Sequence, residues 1–204
     1  MAILKQNNKG DLQLGMDGYA IVTGGARGIG KAISLQLAKK GYNVVINDII
    51  KKNTPKAKAI LEEIEEKYRV KGIWVQGDIS KYDECKKIVA QGIDAFGEKL
   101  AILINNAAIA QYKSFLEITP DEYTHLINVN LMGAMHCTHA ALPYMSKLGY
   151  GSIVNISSIA ALSPVAKQID YSAAKAGIIG MTGAMAREFA RYGIRVNSVA
   201  PGVI

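Results

Sequence analysis

Short apolar runs alternate with stretches of helical periodicity along this chain, and this alternation constrains the fold more than any other feature. The runs lie at about residues 19–23, 44–46, 73–75, 100–104 and 152–156, and residues 194–199, which mix apolar and polar side chains, are predicted as a sixth strand. Continuous Val, Ile and Leu runs are typical of parallel strands that are buried on both faces. Strands that alternate with helices pack as a parallel sheet with helices on both sides. The sequence therefore predicts an α/β fold.

Polar or glycine-rich residues follow each apolar run. They are the turn after Thr23, then Asp48, Asp78, Asn105-Asn106, Ser157-Ser158 and Pro201-Gly202. The carboxyl ends of parallel strands meet at one edge of a sheet, and ligands bind outside that edge. We therefore expect these residues to converge on one ligand site.

Local signals mark where several helices begin and end. Thr54-Pro55 and Thr119-Pro120 each place a capping side chain before a proline at the first helical position. Ser80 with Asp83 predicts a variant capping box at the start of another helix. Gly41 stands where a helix ends with a glycine. We predict long helices over about 120–147 and 170–192.

Composition is typical of one globular domain. The chain has 204 residues, of which 50% are apolar and 20% charged. We expect a flexible leader over residues 1–18 and a single catalytic domain over residues 19–204. The net charge of +7 is spread along the chain, so no basic stripe indicates a nucleic-acid partner. A mild positive field would still attract an anionic nucleotide.

Cysteine usage and the first residues favour a cytoplasmic protein. Cys85 and Cys137 are far apart and lack a C-x-x-C partner, so neither a disulfide framework nor a zinc ribbon is expected. His136 and His139 share a helical face with no matching carboxylate, so we expect no metal site. No secretory signal appears. The apolar runs are too short to cross a membrane, and we expect no membrane partner.

The stretch from Thr23 to Gly30 joins a predicted strand to a predicted helix through glycines. This arrangement places backbone N–H groups and a helix N-terminus under a phosphate. Its spacing, however, is not G-x-G-x-x-G, because three residues separate Gly24 from Gly28. Taken alone, the stretch is also compatible with a purely structural turn.

Asp48 lies eighteen residues beyond Gly30. An acid near that distance can bind both hydroxyls of an adenosine ribose, and its charge would repel a 2′-phosphate. Arg27, Lys51 and Lys52 oppose this interpretation, because each could meet a phosphate. We expect NAD(H) to be preferred over NADP(H), and an ordinary surface aspartate is the alternative.

Tyr171 and Lys175 are four residues apart and share one helical face. A phenol normally has a pKa of about 10 and is a poor acid or base at neutral pH. A nearby ammonium favours the phenolate. Ser158 could donate a hydrogen bond to a carbonyl or alkoxide oxygen. Each feature alone is more often structural, and without a G-x-S-x-G elbow acyl hydrolysis has little support.

Six motifs in order resemble the short-chain dehydrogenase/reductases of the classical type. They are Thr23-Gly24-x-x-x-Gly28-x-Gly30, Asn105-Asn106-Ala107, Asn130, Ser158, Tyr171-x-x-x-Lys175 and Pro201-Gly202. The resemblance covers residues 19–204 and is strongest to the 3-oxoacyl-carrier-protein reductase and sugar-alcohol dehydrogenase branch. It implies a doubly wound Rossmann-type sheet with the strand order 3-2-1-4-5-6.

The resemblance also implies a reaction, in which a hydride moves between a nicotinamide cofactor and a secondary alcohol or ketone. Tyr171 would be the general acid and base, Lys175 would bind the nicotinamide ribose and favour the phenolate, Ser158 would polarise the substrate oxygen, and Asn130 would hold a water. The residues implied to bind the cofactor are Thr23, Gly24, Arg27, Gly28, Ile29, Gly30, Asp48, Asp78, Ile79, Asn105, Ala107, Tyr171, Lys175, Pro201 and Gly202.

Two departures from the family pattern qualify the resemblance. Ala108 replaces the glycine that usually ends the Asn-Asn-Ala-Gly motif. Members normally continue beyond the position of Ile204 through a substrate loop and a seventh strand, so we expect this chain to be incomplete. The alternative is a catalytically silent NAD(P)-binding module or sensor. The family commonly pairs helices equivalent to 120–147 and 171–192 between subunits, which implies a homodimer or homotetramer.

Overall fold

The computed structural model describes residues 3–6, 12–15 and 18–202. Six strands form the main sheet: β1 (Tyr19–Thr23), β2 (Asn43–Asp48), β3 (Gly72–Gln76), β4 (Leu100–Asn105), β5 (Gly151–Ile156) and β6 (Ile194–Val199). The α-helices are α1 (Gly28–Lys39), α2 (Pro55–Glu62), α3 (Tyr82–Phe96), α4 (Pro120–Ile127), α5 (Gly133–Leu148) and α6 (Ile169–Phe189).

The sheet is parallel throughout, with the order β3-β2-β1-β4-β5-β6. This is the predicted order 3-2-1-4-5-6, so the doubly wound Rossmann-type fold is confirmed. The order reverses next to β1, where the chain crosses from β3 to β4. Such a reversal opens a crevice at the carboxyl ends of the strands.

Helices bury both faces of the sheet. Ile21 of β1 packs in a cluster with residues of α3 and α5, whereas the adjacent Val22 packs in a second cluster with residues of α1 and α2. Successive side chains of a strand point to opposite faces. All five residues of β1 are buried, which explains why this strand reads as a continuous apolar run.

Two of the three predicted N-terminal helix caps are confirmed. The Thr54 hydroxyl accepts the Ala57 N–H, and Thr119 forms a reciprocal capping box with Glu122. The Ser80 cap is wrong. Helix α3 begins after Lys81 without a side-chain cap, because the Ser80 hydroxyl instead donates to Asp78 Oδ1 at 2.8 Å.

The helix predicted over 120–147 is interrupted by a π-helical turn at Asn128–Met132, which separates α4 from α5. A second π turn, Glu63–Lys67, follows α2. The helix predicted over 170–192 is α6 followed by a short 3₁₀ turn, Ala190–Tyr192. A π turn adds one residue to a helix and often occurs at functional sites.

Residues 1–18 were expected to lack regular structure. Within them, Ile3–Gln6 and Leu12–Gly15 pair as an antiparallel ribbon. Apart from Gly18, the rest of the leader lies outside the described residues, as do the last two residues of the chain. Among the residues that the structure describes, no helix is long and apolar enough to cross a membrane.

Candidate active site

The glycine turn between β1 and α1 is shaped by close backbone packing. Gly24 has φ +64°, and a Cβ there would lie 2.7 Å from Ala107 Cα. A Cβ at Gly30 would lie 2.5 Å from Asn106 Nδ2. Gly28 also has a positive φ, +51°, but a Cβ there would meet nothing within 4 Å. Gly24 and Gly30 are therefore required by the protein's own packing, whereas Gly28 faces open space.

Asn106 ties this turn to the end of β4. Its Nδ2 donates to the carbonyls of Thr23, at 2.9 Å, and Gly24, at 3.1 Å. The buried Thr23 hydroxyl accepts the backbone N–H groups of Asn106 and Ala107 at 3.0 and 3.1 Å. The sequence-predicted residue Thr23 therefore lies beneath the turn and anchors it.

Asn105 lies on the opposite side of the strand from Asn106. It is buried, and its Nδ2 donates to Thr138 Oγ1 at 2.9 Å and to Asn155 Oδ1 at 2.8 Å. Asn155 in turn donates to Thr182 Oγ1 at 2.9 Å. This chain of buried amides and hydroxyls links β4 and β5 to α5 and α6. The structure thus places Asn105 in an internal network and Asn106 beside the glycine turn.

A cavity of about 560 Å³ opens at the crossover point of the sheet. Its size is that of a small-molecule site. Seven of the predicted cofactor residues line it: Gly24, Arg27, Ile29, Asp48, Asp78, Ile79 and Ala107. Asn106, one of the strand-end residues, also lines it, as do Ile49, Ile50, His125 and Val129, which no sequence pattern indicates. The predicted convergence of strand ends is therefore observed along β1 to β4.

Two carboxylates in this cavity are held by hydrogen bonds. Asp48 Oδ2 accepts the Ala26 N–H at 3.1 Å, and its Oδ1 accepts the Ile50 N–H at 3.2 Å. Asp78 Oδ1 accepts both the N–H and the hydroxyl of Ser80. These bonds fix the carboxylates in place, and Asp48 also steadies the glycine turn.

Asn130 lies in the π turn between α4 and α5 and is 2% exposed. Its Oδ1 accepts the Ile109 N–H and its Nδ2 donates to the Ile109 carbonyl, both at 2.8 Å. The side chain is therefore used to hold the loop after β4. The water predicted for Asn130 remains a prediction.

The two serines after β5 have different surroundings. The buried Ser157 hydroxyl donates to the Lys175 carbonyl at 2.8 Å. Ser158 Oγ accepts the Ala160 N–H at 3.2 Å, which leaves its own hydrogen for another acceptor. The Ile159 N–H donates to the Pro201 carbonyl at 2.8 Å, so the loop containing Ser158 and the chain after β6 lie side by side.

Lys175 lies beneath Tyr171 on α6. Its Nζ is 5.7 Å from the centre of the Tyr171 ring and donates to the Ile156 carbonyl at 2.8 Å. Lys175 is only 3% exposed, and burial lowers its pKa from the usual 10.5 to about 8. Tyr171 is half-buried. A cation therefore lies beside the phenol, as the spacing predicts.

The residues present fit a nicotinamide dinucleotide. The open face of Gly28, the cavity and the N-terminus of α1 suit a pyrophosphate, which binds backbone N–H groups at such a terminus. At the other end, a lysine ammonium keeps two of its three donors beyond the bond to Ile156. When bound, the cofactor supplies the carbon that gives or takes a hydride.

Comparison with known proteins decides the family. A family model described as short chain dehydrogenase matches residues 18–204. The chain belongs to this family. As a short-chain dehydrogenase, it is an NAD(P)-dependent oxidoreductase that moves a hydride between the cofactor and an alcohol or ketone.

Two curated short-chain dehydrogenases illustrate the similarity. A 3-oxoacyl-[acyl-carrier-protein] reductase of Staphylococcus epidermidis is 40% identical over 189 residues, which are 93% of this chain and 76% of that protein. An L-rhamnose-1-dehydrogenase of Scheffersomyces stipitis is 38% identical over 185 residues, which are 90% of this chain and 71% of that protein.

A solved structure of the same family supports the fold. It is described as a short-chain alcohol dehydrogenase from Sinorhizobium meliloti and matches with a TM-score of 0.86 at 29% identity. The match covers 92% of this chain and 72% of that one. The alternative of a catalytically silent module gains no support, because these relatives are named as reductases or dehydrogenases.

Proposed function

We propose that residues 19–204 form one catalytic domain in which Tyr171, Lys175, Ser158 and Asn130 serve hydride transfer. The observation that carries this proposal is the buried Lys175 ammonium beside the Tyr171 ring. A buried lysine without an ion pair is expensive and is rarely kept unless it has a task. Favouring phenolate in the neighbouring tyrosine is such a task.

In the reducing direction, Tyr171 donates a proton to the carbonyl oxygen of the substrate. In the oxidising direction, its phenolate accepts a proton from the alcohol. Ser158 donates its free hydroxyl hydrogen to the same oxygen, which stabilises the charge that develops there. Ser157 is unsuited to this role because its hydroxyl is already donated to Lys175.

Lys175 stabilises the phenolate and binds the ribose next to the nicotinamide through its remaining donors. The Ile156 carbonyl holds the ammonium at the end of β5. Asn130 supports the loop after β4 and holds a water through its backbone. Pro201 and Gly202 flank the nicotinamide, consistent with the bond from Ile159 to Pro201.

NAD(H) is the preferred cofactor. The Asp48 carboxylate is fixed at the cavity wall by Ala26 and Ile50, where its charge meets the ribose hydroxyls and opposes a 2′-phosphate. Arg27 also lines the cavity and offers an opposing cation. We give Asp48 the greater weight because two backbone donors hold it in place.

The substrate is a small molecule with a secondary alcohol or a ketone. The named relatives act on 3-oxoacyl-[acyl-carrier-protein] and on L-rhamnose, which are two very different carbonyl or hydroxyl compounds. Candidate pocket residues are Ala108, Ile109, Tyr112, Ser163, Pro164 and Gln168. Since most of these side chains are apolar or small, we propose that the part of the substrate that enters the pocket is neutral or weakly polar.

The protein assembles as a homodimer or homotetramer through α4–α5 and α6. The solvent-exposed face of α6 presents small residues at helical spacing, namely Ala173, Ala176, Gly180, Gly183 and Ala184. Small side chains let two helices approach closely. Analytical ultracentrifugation measures the mass of the assembly. A monomer at micromolar concentration would contradict the proposed homodimer or homotetramer. A cytoplasmic location stays a prediction from the sequence, to be tested by cell fractionation.

Replacing Tyr171 by Phe tests the proposed chemistry. The variant removes one hydroxyl, so we expect turnover to fall by at least about a thousandfold. The dissociation constant for NADH, measured by fluorescence, should stay within about twofold because binding rests on other groups. Turnover close to wild type would contradict the assignment of Tyr171.

A further inference from the structure

The loop after β4, residues 109–113, connects two parts of the proposed site. At one end, Ile109 gives both backbone groups to the Asn130 side chain at 2.8 Å. At the other end, the Lys113 N–H donates to the Lys167 carbonyl at 3.0 Å, just before α6. We call residues 109–113 the bridging loop, because it spans from the π turn to the helix that carries Tyr171.

One side-chain contact joins the bridging loop to α6 itself. Gln111 Nε2 donates to Asp170 Oδ2 at 2.5 Å. The other carboxylate oxygen, Asp170 Oδ1, accepts the Tyr171 N–H at 2.8 Å. The carboxylate thus binds the bridging loop with one oxygen and the backbone of Tyr171 with the other.

The residue Asp170 is only 4% exposed. Among the described residues, no lysine, arginine or histidine nitrogen comes within ion-pair distance of it. The first turn of α6 supplies N–H groups that favour a negative charge. Among the described residues, Gln111 is the side chain that donates to Asp170 Oδ2. Without that donor, a buried anion would be left partly unsatisfied, and the first turn of α6 would move to find another.

We propose that Gln111 and Asp170 are positioning residues that fix where Tyr171 sits relative to substrate and cofactor. The proposal rests on the proposed role of Tyr171. Proton transfer requires the phenol oxygen to lie within hydrogen-bond distance of the substrate oxygen. A displacement of about 1 Å can lower the rate by about a hundredfold. The pair therefore affects kcat and leaves cofactor binding intact, because neither residue lines the cofactor cavity.

Exchanging the polarity of the pair tests the proposal. Gln111→Glu places two carboxylates face to face with no donor between them, so kcat should fall at least about tenfold. Asp170→Asn alone keeps one oxygen for the Tyr171 N–H, and its amide N–H can donate to Gln111 if the Gln111 amide turns its oxygen inward, so its effect should be milder. In the double variant, the amide introduced at position 170 donates to the carboxylate introduced at position 111, so kcat should return to within about threefold of wild type. The NADH dissociation constant should change by less than about twofold throughout.

Two further variants keep the result interpretable. Gln111→Met removes the donor without adding charge, so it reports on positioning even where Gln111→Glu does not fold. Gln91→Glu makes the same chemical change at an exposed site on α3 and should leave kcat unchanged. Circular dichroism and thermal melting accompany each kinetic measurement.

Three results would overturn the proposal. They are an unchanged kcat in Gln111→Glu or Gln111→Met, no recovery of kcat in the double variant, and a loss of NADH binding in parallel with kcat. The last two would mean that the pair only supports the fold. Failure of Tyr171 as the proton donor is detected separately, because Tyr171→Phe would then keep its turnover.

Discussion

Burial of Lys175 should make the stability of this protein depend on pH in a way that one substitution removes. Its ammonium is almost fully buried and has one described hydrogen bond, to the Ile156 carbonyl. Burial favours the neutral amine, which lowers the pKa of Lys175 from 10.5 to about 8 in the folded protein. Lys175→Met replaces this group by an apolar side chain of similar length.

The size of the effect follows from the pKa difference. Below pH 8, the lysine is charged in both states, and the folded state carries the full burial penalty of about 3 kcal/mol, at 1.36 kcal/mol per unit. Between pH 8 and 10.5 only the unfolded chain stays protonated, so the penalty declines as pH rises. Between pH 7.5 and 9.5, the wild type should therefore gain about 2 kcal/mol relative to Lys175→Met.

Urea unfolding at several pH values measures this difference. Groups distant from Lys175 are common to both proteins, so their titrations cancel. Burial raises the pKa of Tyr42 to about 12, which lies above this pH range. Lys87→Met, at an exposed position on α3, is the matched control, and its stability should run parallel to that of the wild type. NADH turnover should be lost in Lys175→Met and kept in the control.

Parallel pH curves for wild type and Lys175→Met would refute this reasoning. They would mean that Lys175 keeps an ordinary pKa despite its burial. The opposite trend would also refute it. If the wild type lost stability relative to Lys175→Met as pH rises, an anion would be stabilising the ammonium.

Two further predictions concern the cofactor cavity. Gly30→Ala should lower the unfolding free energy by about 1–3 kcal/mol, because its Cβ would clash with the backbone carbonyl of Gly24 and the Asn106 amide. Gly28→Ala should cost only about 1 kcal/mol but raise the NADH dissociation constant at least about tenfold. Urea unfolding and fluorescence titration check both, and equal effects on stability would contradict the distinction. Asp48→Asn should shift the cofactor preference, measured as kcat/KM with NADH divided by kcat/KM with NADPH, at least about tenfold towards NADPH. Asp83→Asn on α3 is the control and should leave this preference unchanged. An unchanged preference in Asp48→Asn would assign it to other residues.

The sequence predicts the strand order and the convergence of strand ends because these depend on strong and repeated signals. Most strands of the sheet are short apolar runs, and the carboxyl ends of parallel strands meet at the same edge. Thr54 and Thr119 are correctly predicted as caps because a cap acts within its own turn. The prediction of a Ser80 cap is wrong because the Ser80 hydroxyl donates to Asp78, two residues earlier, and does not cap the helix.

Contacts between distant segments are what the sequence does not reveal. Whether Asn105 or Asn106 faces the glycine turn depends on the pleat at the end of β4, and a shift of one residue exchanges the two sides. Gln111 and Asp170 are 59 residues apart, and no local pattern marks either as a partner. The π turn at Asn128–Met132 likewise gives no signal in a sequence that reads as one continuous helix.

That π turn also affects how the chain can change by insertion and deletion. An α-helix turns by about 100° per residue, so one extra residue rotates everything after it by about that angle. Deleting a single residue from 128–132 would restore a regular helix and swing Asn130 away from Ile109, while α5 would turn a different face to the sheet. The segment therefore tolerates substitutions more readily than changes in length, and its length is itself a fixed feature of the site.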